Sequence, residues 1–118
     1  MYTYKAKPRN DKYELGVYDG DTIDLTIDVG FKIYIFKRIR LLGVNTPEIK
    51  GPSREQGLIF KQLTKMWIEE ASHLDEWPLT IETEKSDSFG RYLANVYRID
   101  GECLNEYLIR HGSPIYEK

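Results

Sequence analysis

Residues 22–29, TIDLTIDV, alternate strictly between polar and apolar side chains. A period of two residues is typical of a β-strand that has one face in the core and one face in solvent. The dipeptide Asp19-Gly20 just before this run favours a tight turn, and Gly30 permits another turn after it. The sequence therefore predicts a half-buried strand at which the chain reverses at both ends.

The same pattern predicts four more strands, at residues 13–17, 31–41, 79–84 and 91–98. Within residues 31–41, Phe36 breaks the alternation, which indicates a β-bulge or a sharp bend of the kind that a small barrel needs. Ser53, followed by Gln56 three residues later, is the capping box of a first helix. Trp67 falls at helical spacing in it and is expected in the core. A second helix is predicted from about residue 104 to 111, with Gly112 as its C-terminal cap.

The resulting order, β-β-β-α-β-β-α, is that of a five-stranded OB-type barrel, whose exposed face and loops commonly carry oligonucleotides. We therefore expect an α+β fold that is mainly β. The length of 118 residues suits one domain with one core, so we expect a single domain over residues 1–118. Residues 1–11 are polar, and we expect them to form an N-terminal arm outside the barrel.

Bulk composition bounds the class of protein. The net charge is −2, which argues against tight, non-specific binding to nucleic acid. Lysines and arginines nevertheless cluster within residues 32–40, and local charge governs contacts with phosphate because salt screens charges beyond about 10 Å. The single Cys103 excludes an intrachain disulfide. No apolar run is long enough to cross a bilayer and no secretory signal is visible, so we expect a cytoplasmic protein without membrane contact.

The first stretch with potential chemistry is Asp-Gly-Asp-Thr at residues 19–22. Its simplest reading is a hairpin turn. However, the carboxylates of Asp19 and Asp21 converge there and offer oxygen atoms to a hard divalent cation. Taken alone, the turn favours the structural reading.

The second stretch runs from Arg40 to Glu48 and includes Asn45, Thr46 and Pro47. The residue before a proline avoids the helical region, so one interpretation is that Pro47 fixes the Thr46 carbonyl and the Glu48 carboxylate relative to the barrel. Alternatively, Arg40 extends to solvent at a strand edge and Glu48 is an ordinary surface residue. Because both lie beside a loop, we expect their replacement to leave the fold intact.

The third stretch, residues 87–91, is a polar loop that leads to Arg91. Two planar guanidinium groups can hold several oxygens of a phosphoryl transition state, although a solvated arginine is the default for Arg91 alone. In the last helix, Asn105 is expected to link loops through its amide.

Taken together, these stretches resemble the staphylococcal nuclease-like (thermonuclease) family. The residues that carry the resemblance are Asp-Gly-Asp-Thr at 19–22, Arg40 with Gly-Val-Asn-Thr-Pro-Glu at 43–48, Asp-x-x-Gly-Arg at 87–91, and Asn-Glu-x-Leu-Ile-Arg-x-Gly at 105–112. They occur in the family's order and spacing and span roughly residues 13–112. The resemblance implies calcium-dependent hydrolysis of DNA and RNA with little sequence preference, leaving 3′-phosphates.

The resemblance also implies a metal site. Asp21 would be a Ca²⁺ ligand, Thr46 would add its backbone carbonyl, and Asp19 would lie near the ion without binding it directly. Asn45 stands where many members have an aspartate ligand. Its amide oxygen can still bind calcium, but the missing negative charge should weaken the metal.

For catalysis, the resemblance implies that Glu48 activates or orients the attacking water and that Arg40 and Arg91 grip the phosphate. Phe89 stands where a tyrosine is frequent, which removes one hydroxyl near that phosphate. The partner expected is DNA or RNA, with a monomeric protein and no obligate protein partner. The alternative is a barrel of the same fold that binds nucleic acid or protein and has lost catalysis.

Overall fold

The computed structural model describes residues 2–86 and 92–113. Their strands are β1 (Tyr2–Pro8), β2 (Val17–Asp19), β3 (Thr22–Asp28), β4 (Tyr34–Leu41), β5 (Leu79–Ser86) and β6 (Tyr92–Arg98). The helices are α1 (Arg54–Ser72) and α2 (Leu104–Arg110), and single 3-10 turns lie at Glu14–Gly16 and Gly51–Ser53.

Five of these strands close into a barrel. β1 pairs with both β3 and β5, β5 continues to β6, β6 pairs in parallel with β4, and β4 returns to β3. The short β2 adds to the edge of β3 by a hairpin. The predicted α+β fold, a mainly β, five-stranded OB-type barrel, is confirmed.

The alternating residues of β3 explain the core. Ile23, Leu25 and Ile27 point inward and are almost fully buried. Helix α1 adds Trp67 and Ile68, which are 2% and 0% exposed, to the same core cluster, so the predicted core position of Trp67 is confirmed. Within the part of the chain described here, no helix is long and apolar enough to cross a membrane.

The prediction of an N-terminal arm over residues 1–11 is wrong for residues 2–8, because these form β1. Its inward face has few apolar side chains, since Ala6 is the one fully buried residue of β1. The sequence of residues 2–8 therefore shows a polar pattern. The strand is held between two neighbours instead, because Ala6 lies opposite Ile27 on one side and Leu79 on the other. Tertiary pairing here overrides a weak local signal.

The first predicted strand, residues 13–17, is also wrong. The chain instead makes the 3-10 turn Glu14–Gly16 and enters β2 at Val17. β1 therefore supplies the barrel strand that residues 13–17 were expected to supply.

No bulge interrupts β4. Its register with β3 is continuous from Thr22 opposite Arg40 to Asp28 opposite Tyr34. Phe36 keeps the alternation by lying on the outer face, 55% exposed. Ser53 does precede α1, but its hydroxyl donates to the carbonyl of Glu48 at 2.9 Å and makes no capping bond to the helix.

Candidate active site

The turn between β2 and β3 lies beside the end of β4. Thr22 at the start of β3 is paired with Arg40, and the backbone N–H of Leu41 donates to the carbonyl of Asp21 at 2.8 Å. The loop that follows β4 therefore folds back over the turn. The first two stretches singled out in the sequence meet at this point.

The carboxylate of Asp21 lies at the centre of that meeting point. One oxygen, Oδ1, accepts the hydroxyl of Thr22 at 3.0 Å. The other, Oδ2, accepts the backbone N–H of Thr46 at 3.0 Å and lies 2.9 Å from Nη1 of Arg40. Asp21 is 7% exposed, so this one buried group ties the turn to the strand and to the loop.

Arg40 is buried as well, with 8% of its surface exposed. Besides Asp21, its guanidinium donates to the carbonyl of Val44 at 2.6 Å and to Oδ1 of Asn45 at 3.3 Å. The alternative of an arginine extending to solvent is therefore wrong. The expectation that replacing Arg40 leaves the fold intact assumed an open position beside a loop. Arg40 is buried instead, and its removal would take the ion pair from the buried carboxylate of Asp21.

Asp19 has an unusual acidity. Burial and, after it, the neighbouring carboxyl of Asp21 together raise the pKa of Asp19 to about 7. The backbone N–H of Asp21 donates to Oδ1 of Asp19 at 3.2 Å and opposes the shift. A raised carboxyl pKa beside a second carboxylate marks a place where a cation is favoured.

Helix α1 contacts both the turn between β2 and β3 and the loop that follows β4. The hydroxyl of Thr64 donates to the carbonyl of Gly20 at 2.7 Å. Gly57 lies so close to the loop that an added Cβ would be 2.4 Å from the carbonyl oxygen of Glu48. Neither contact could be predicted from the sequence, although a glycine inside a helix, such as Gly57, can indicate a close approach of backbone.

The remaining predicted site residues differ in how exposed they are, and one of them is not described. Glu48 and Asn45 are exposed, whereas Thr46 is 6% exposed. The hydroxyl of Thr46 is buried without a hydrogen-bond partner in the described part of the chain. Arg91, with Asp87 and Phe89 of the same loop, lies outside the described residues.

Asn105 links secondary-structure elements as expected. Its Nδ2 donates to the carbonyls of Leu42 and Ala94, at 2.8 and 3.2 Å, and its Oδ1 accepts the N–H of Val96 at 3.0 Å. The amide thus joins α2 to the middle of β6 and to the residue that follows β4. It is 4% exposed, and its role is structural.

The oxygen atoms at this centre fit a hard cation in kind, but few of them are charged. Asp19 and Asp21 have carboxylates here, and Thr46 has a buried hydroxyl that finds no hydrogen-bond partner among the described residues. In residues 2–86 and 92–113, no three His, Cys, Asp or Glu side chains gather as a ready metal cluster. Any cation here would therefore rely on neutral oxygens and water for much of its coordination.

Comparison with family models matches this chain to a known family. The model of the family described as staphylococcal nuclease homologue matches residues 38–117. That region includes Arg40, the loop to Glu48 and both helices, and it begins after the Asp21 turn. No curated protein matches the chain. The matched region covers more than half of the sequence, so this chain belongs to the staphylococcal nuclease homologue family.

Proposed function

We propose that this protein is a nuclease that hydrolyses the phosphodiester bonds of DNA and RNA. We propose that it requires a divalent cation and is most active with Ca²⁺. The observation that carries the proposal is the buried carboxylate of Asp21, bound at once by Arg40 and by the backbone of Thr46. A structural turn needs neither contact. An acid, a fixed guanidinium and a loop that ends in an exposed carboxylate are the parts that phosphodiester hydrolysis uses.

The cation would be held by Asp21, the carbonyl of Thr46 and Asn45, with Asp19 nearby. Two groups support this assignment. The hydroxyl of Thr46 has no hydrogen-bond partner within residues 2–86 and 92–113, so a cation could use its oxygen. A nearby cation would also lower the raised pKa of Asp19 by favouring its charged form. When bound, calcium would neutralise charge that develops on the phosphate oxygens.

Glu48 is proposed as the base. It is exposed at the end of the loop, so its carboxylate can reach a water molecule that attacks the phosphorus. The backbone of Glu48 is held by the hydroxyl of Ser53 and by the close approach of Gly57. This support, from α1 and from the 3-10 turn before it, holds the backbone that carries the carboxylate.

Arg40 is proposed to stabilise negative charge on the phosphate. Its guanidinium is fixed by Asp21, Val44 and Asn45 before any substrate arrives. A donor that is already oriented does not have to reorganise during the reaction, which makes its electrostatic effect large. Arg91 is proposed as the second guanidinium from its place in the sequence alone.

One alternative has observations in its favour. Asn45 is neutral, and no cluster of three acidic, histidine or cysteine side chains gathers within the described ranges. A barrel that binds nucleic acid without cutting it would show the same features.

Cleavage of polymer substrates separates the two functions. Purified protein would be incubated with calcium and supercoiled plasmid, single-stranded DNA or single-stranded RNA, and the ends of the products would be analysed. A nuclease of the proposed kind yields fragments with 3′-phosphates from all three polymers. Retarded migration of intact polymers, without fragments, would instead support the binding protein.

A further inference from the structure

An apolar cavity of about 350 Å³ opens at one end of the barrel. Every barrel strand contributes at least one side chain to its wall. Among the described residues, β4 pairs with β6 from Ile39 to Leu41 and not over its first half, so the two strands diverge and leave a space between them. Ile27 and Ile81, which are 4% and 0% exposed, form the floor. The cavity is therefore continuous with the core of the barrel.

This cavity is separate from the candidate active site. Thr22 pairs with Arg40 at one end of the ladder between β3 and β4, whereas Ile27 pairs with Ile35 five residues further along. At about 3.3 Å per residue, the two places lie about 17 Å apart along the strands. A ligand in the cavity would therefore not need the ion pair of Asp21 with Arg40.

Tyrosine rings line the opening of the cavity. Tyr2 and Tyr92 are 69% and 42% exposed, whereas Tyr4 packs against the core. Tyr2 and Tyr4 lie opposite Thr83 and Ile81 in the ladder between β1 and β5, so strand pairing holds them in place. A preformed and mostly apolar hollow of roughly 300–1,000 Å³ at the mouth of a barrel is a common form of small-molecule site.

Lys37 stands at a position of β4 where an apolar residue is expected. It lies opposite Leu25 of β3, and residues directly opposite each other share a face of the sheet. Leu25 is fully buried, so Lys37 belongs to the inward row that also contains Ile35. Its Nζ lies 5.4 Å from the ring centre of Tyr92. In the described part of the chain, Lys37 makes no ion pair and is the one charged side chain of the cavity wall.

An inward lysine also has a structural explanation. A charge on the inner face of an exposed strand edge discourages pairing with another chain. That role needs neither a cavity nor rings beside the lysine, whereas Lys37 lines a cavity and lies over a ring. The two explanations differ in what they predict for small molecules, because a lysine that only prevents strand pairing binds none.

We propose that this cavity binds a small aromatic carboxylate, with its ring among the tyrosines and its carboxylate beside Lys37. One cation, with no carboxylate among the described residues of the wall, favours an anionic ligand. The tyrosine rings favour an aromatic body through edge-to-face and offset contacts. A nucleobase fits poorly, because the floor of Ile27 and Ile81 offers no side-chain partners to its several donors and acceptors. The proposal does not depend on the proposed nuclease function.

Isoleucine methyl groups, observed by NMR in chelator, would locate the binding. The probe is naphthoate, with naphthamide as a neutral compound of the same shape and octanoate as a carboxylate without a ring. The methyl groups of Ile27, Ile35 and Ile81 line the cavity and should shift as naphthoate is added. Those of Ile59 and Ile99 are exposed elsewhere and should not shift. For a compound of this size we expect a Kd between about 10 μM and 1 mM.

Two variants separate the cation from the cavity. Lys37→Met should weaken naphthoate roughly fivefold, the value of a partly exposed ion pair, and leave naphthamide unchanged. Its matched control is Lys12→Met, which removes another exposed lysine over a ring, 5.7 Å from the centre of Tyr13. Ile35→Trp should fill the cavity and abolish binding of both compounds, while Phe36→Trp on the outer face should bind as the parent does. Thermal melting verifies the fold, and Lys37→Met decides alone if Ile35→Trp does not fold.

The absence of saturable shifts at the cavity methyl groups, with naphthoate at millimolar concentration, would overturn the proposal and leave the prevention of strand pairing as the explanation of Lys37. Equal losses of naphthoate and naphthamide in folded Lys37→Met, or the same loss in Lys12→Met, would also overturn it. Octanoate that binds as tightly as naphthoate would overturn the assignment to an aromatic ligand. Because no calcium and no polymer are present, a failure of the proposed nuclease function would leave these results unchanged.

Discussion

Gly57 of helix α1 faces the carbonyl group of Glu48 so closely that an added Cβ would lie 2.4 Å from its oxygen and 2.6 Å from its carbon. Both neighbouring atoms belong to the backbone, so neither can swing away. The absence of a side chain at one helix position therefore sets where the loop, and with it the proposed base, can lie.

Gly57→Ala should consequently lower activity although alanine favours helices. Inside a helix, alanine is better than glycine by about 1 kcal/mol, but here the methyl group must push the Glu48 backbone away. A displacement of about 1 Å at a reacting group can cost about 100-fold in rate, so we expect turnover to fall by roughly 10- to 100-fold. The exposed neighbour Gln56→Ala is the control. A variant that is more stable than the parent and equally active would refute the positioning role.

Glu48→Gln tests the proposed base directly. Glu48 is exposed, so the substitution should leave the melting temperature unchanged. Loss of a general base typically lowers the rate by about 10²- to 10⁴-fold, and we expect turnover with single-stranded DNA to fall within that range. Glu55→Gln, another exposed glutamate at the start of α1, should cut as the parent does. Equal rates for parent and Glu48→Gln would remove Glu48 from the chemistry.

Arg40→Ala should cost stability as well as activity. The side chains of Arg40 and Asp21 are only 10% and 9% exposed, and breaking a buried ion pair by removing one partner typically costs about 3–5 kcal/mol. Urea unfolding should show a loss of at least about 3 kcal/mol. Arg9→Ala breaks an exposed pair with Asp11 and should change the free energy of unfolding by less than about 1 kcal/mol. Similar small losses for both variants would mean that the Asp21–Arg40 pair does not hold the site together.

Asn45→Asp tests the proposed metal ligand. Its Oδ1 now accepts a hydrogen bond from Arg40, so it points toward the centre rather than away from it. A carboxylate there adds negative charge near Asp21 and should tighten calcium by about 1 kcal/mol after desolvation, or roughly fivefold in Kd. Calcium titration by calorimetry measures this. Gln62→Glu adds the same charge at an exposed position of α1 and should leave the affinity unchanged. Unchanged or weaker binding by folded Asn45→Asp would exclude position 45 as a ligand.

The strands that the sequence predicts well are those that carry a dense apolar face. β3 alternates through Ile23, Leu25 and Ile27, all buried, and its pattern alone indicates its position. β1 offers only Ala6 and a half-buried Tyr4 to the core, and its place depends on pairing with β3 and β5, which are distant in sequence. Such pairing leaves no local signal.

In the candidate site, too, some features have a sequence signal and others depend on long-range packing. The motif predicts that Asp21, Arg40 and Thr46 belong together, and the structure brings them within hydrogen-bonding distance. The sequence does not predict that Arg40 is buried, because an arginine at a strand end is exposed by default. Nor does it predict the contact of Gly57 with Glu48, which depends on how α1 packs against a loop.

Metal-dependent cleavage of single-stranded DNA tests the central proposal most directly. Parent protein would be assayed with calcium, with magnesium and after thorough chelation, beside Glu48→Gln in calcium. The account predicts cleavage by the parent in calcium, less in magnesium, none after chelation and little by Glu48→Gln. Undiminished cleavage after chelation would contradict the role of the cation, and intact DNA in every lane would contradict the nuclease itself.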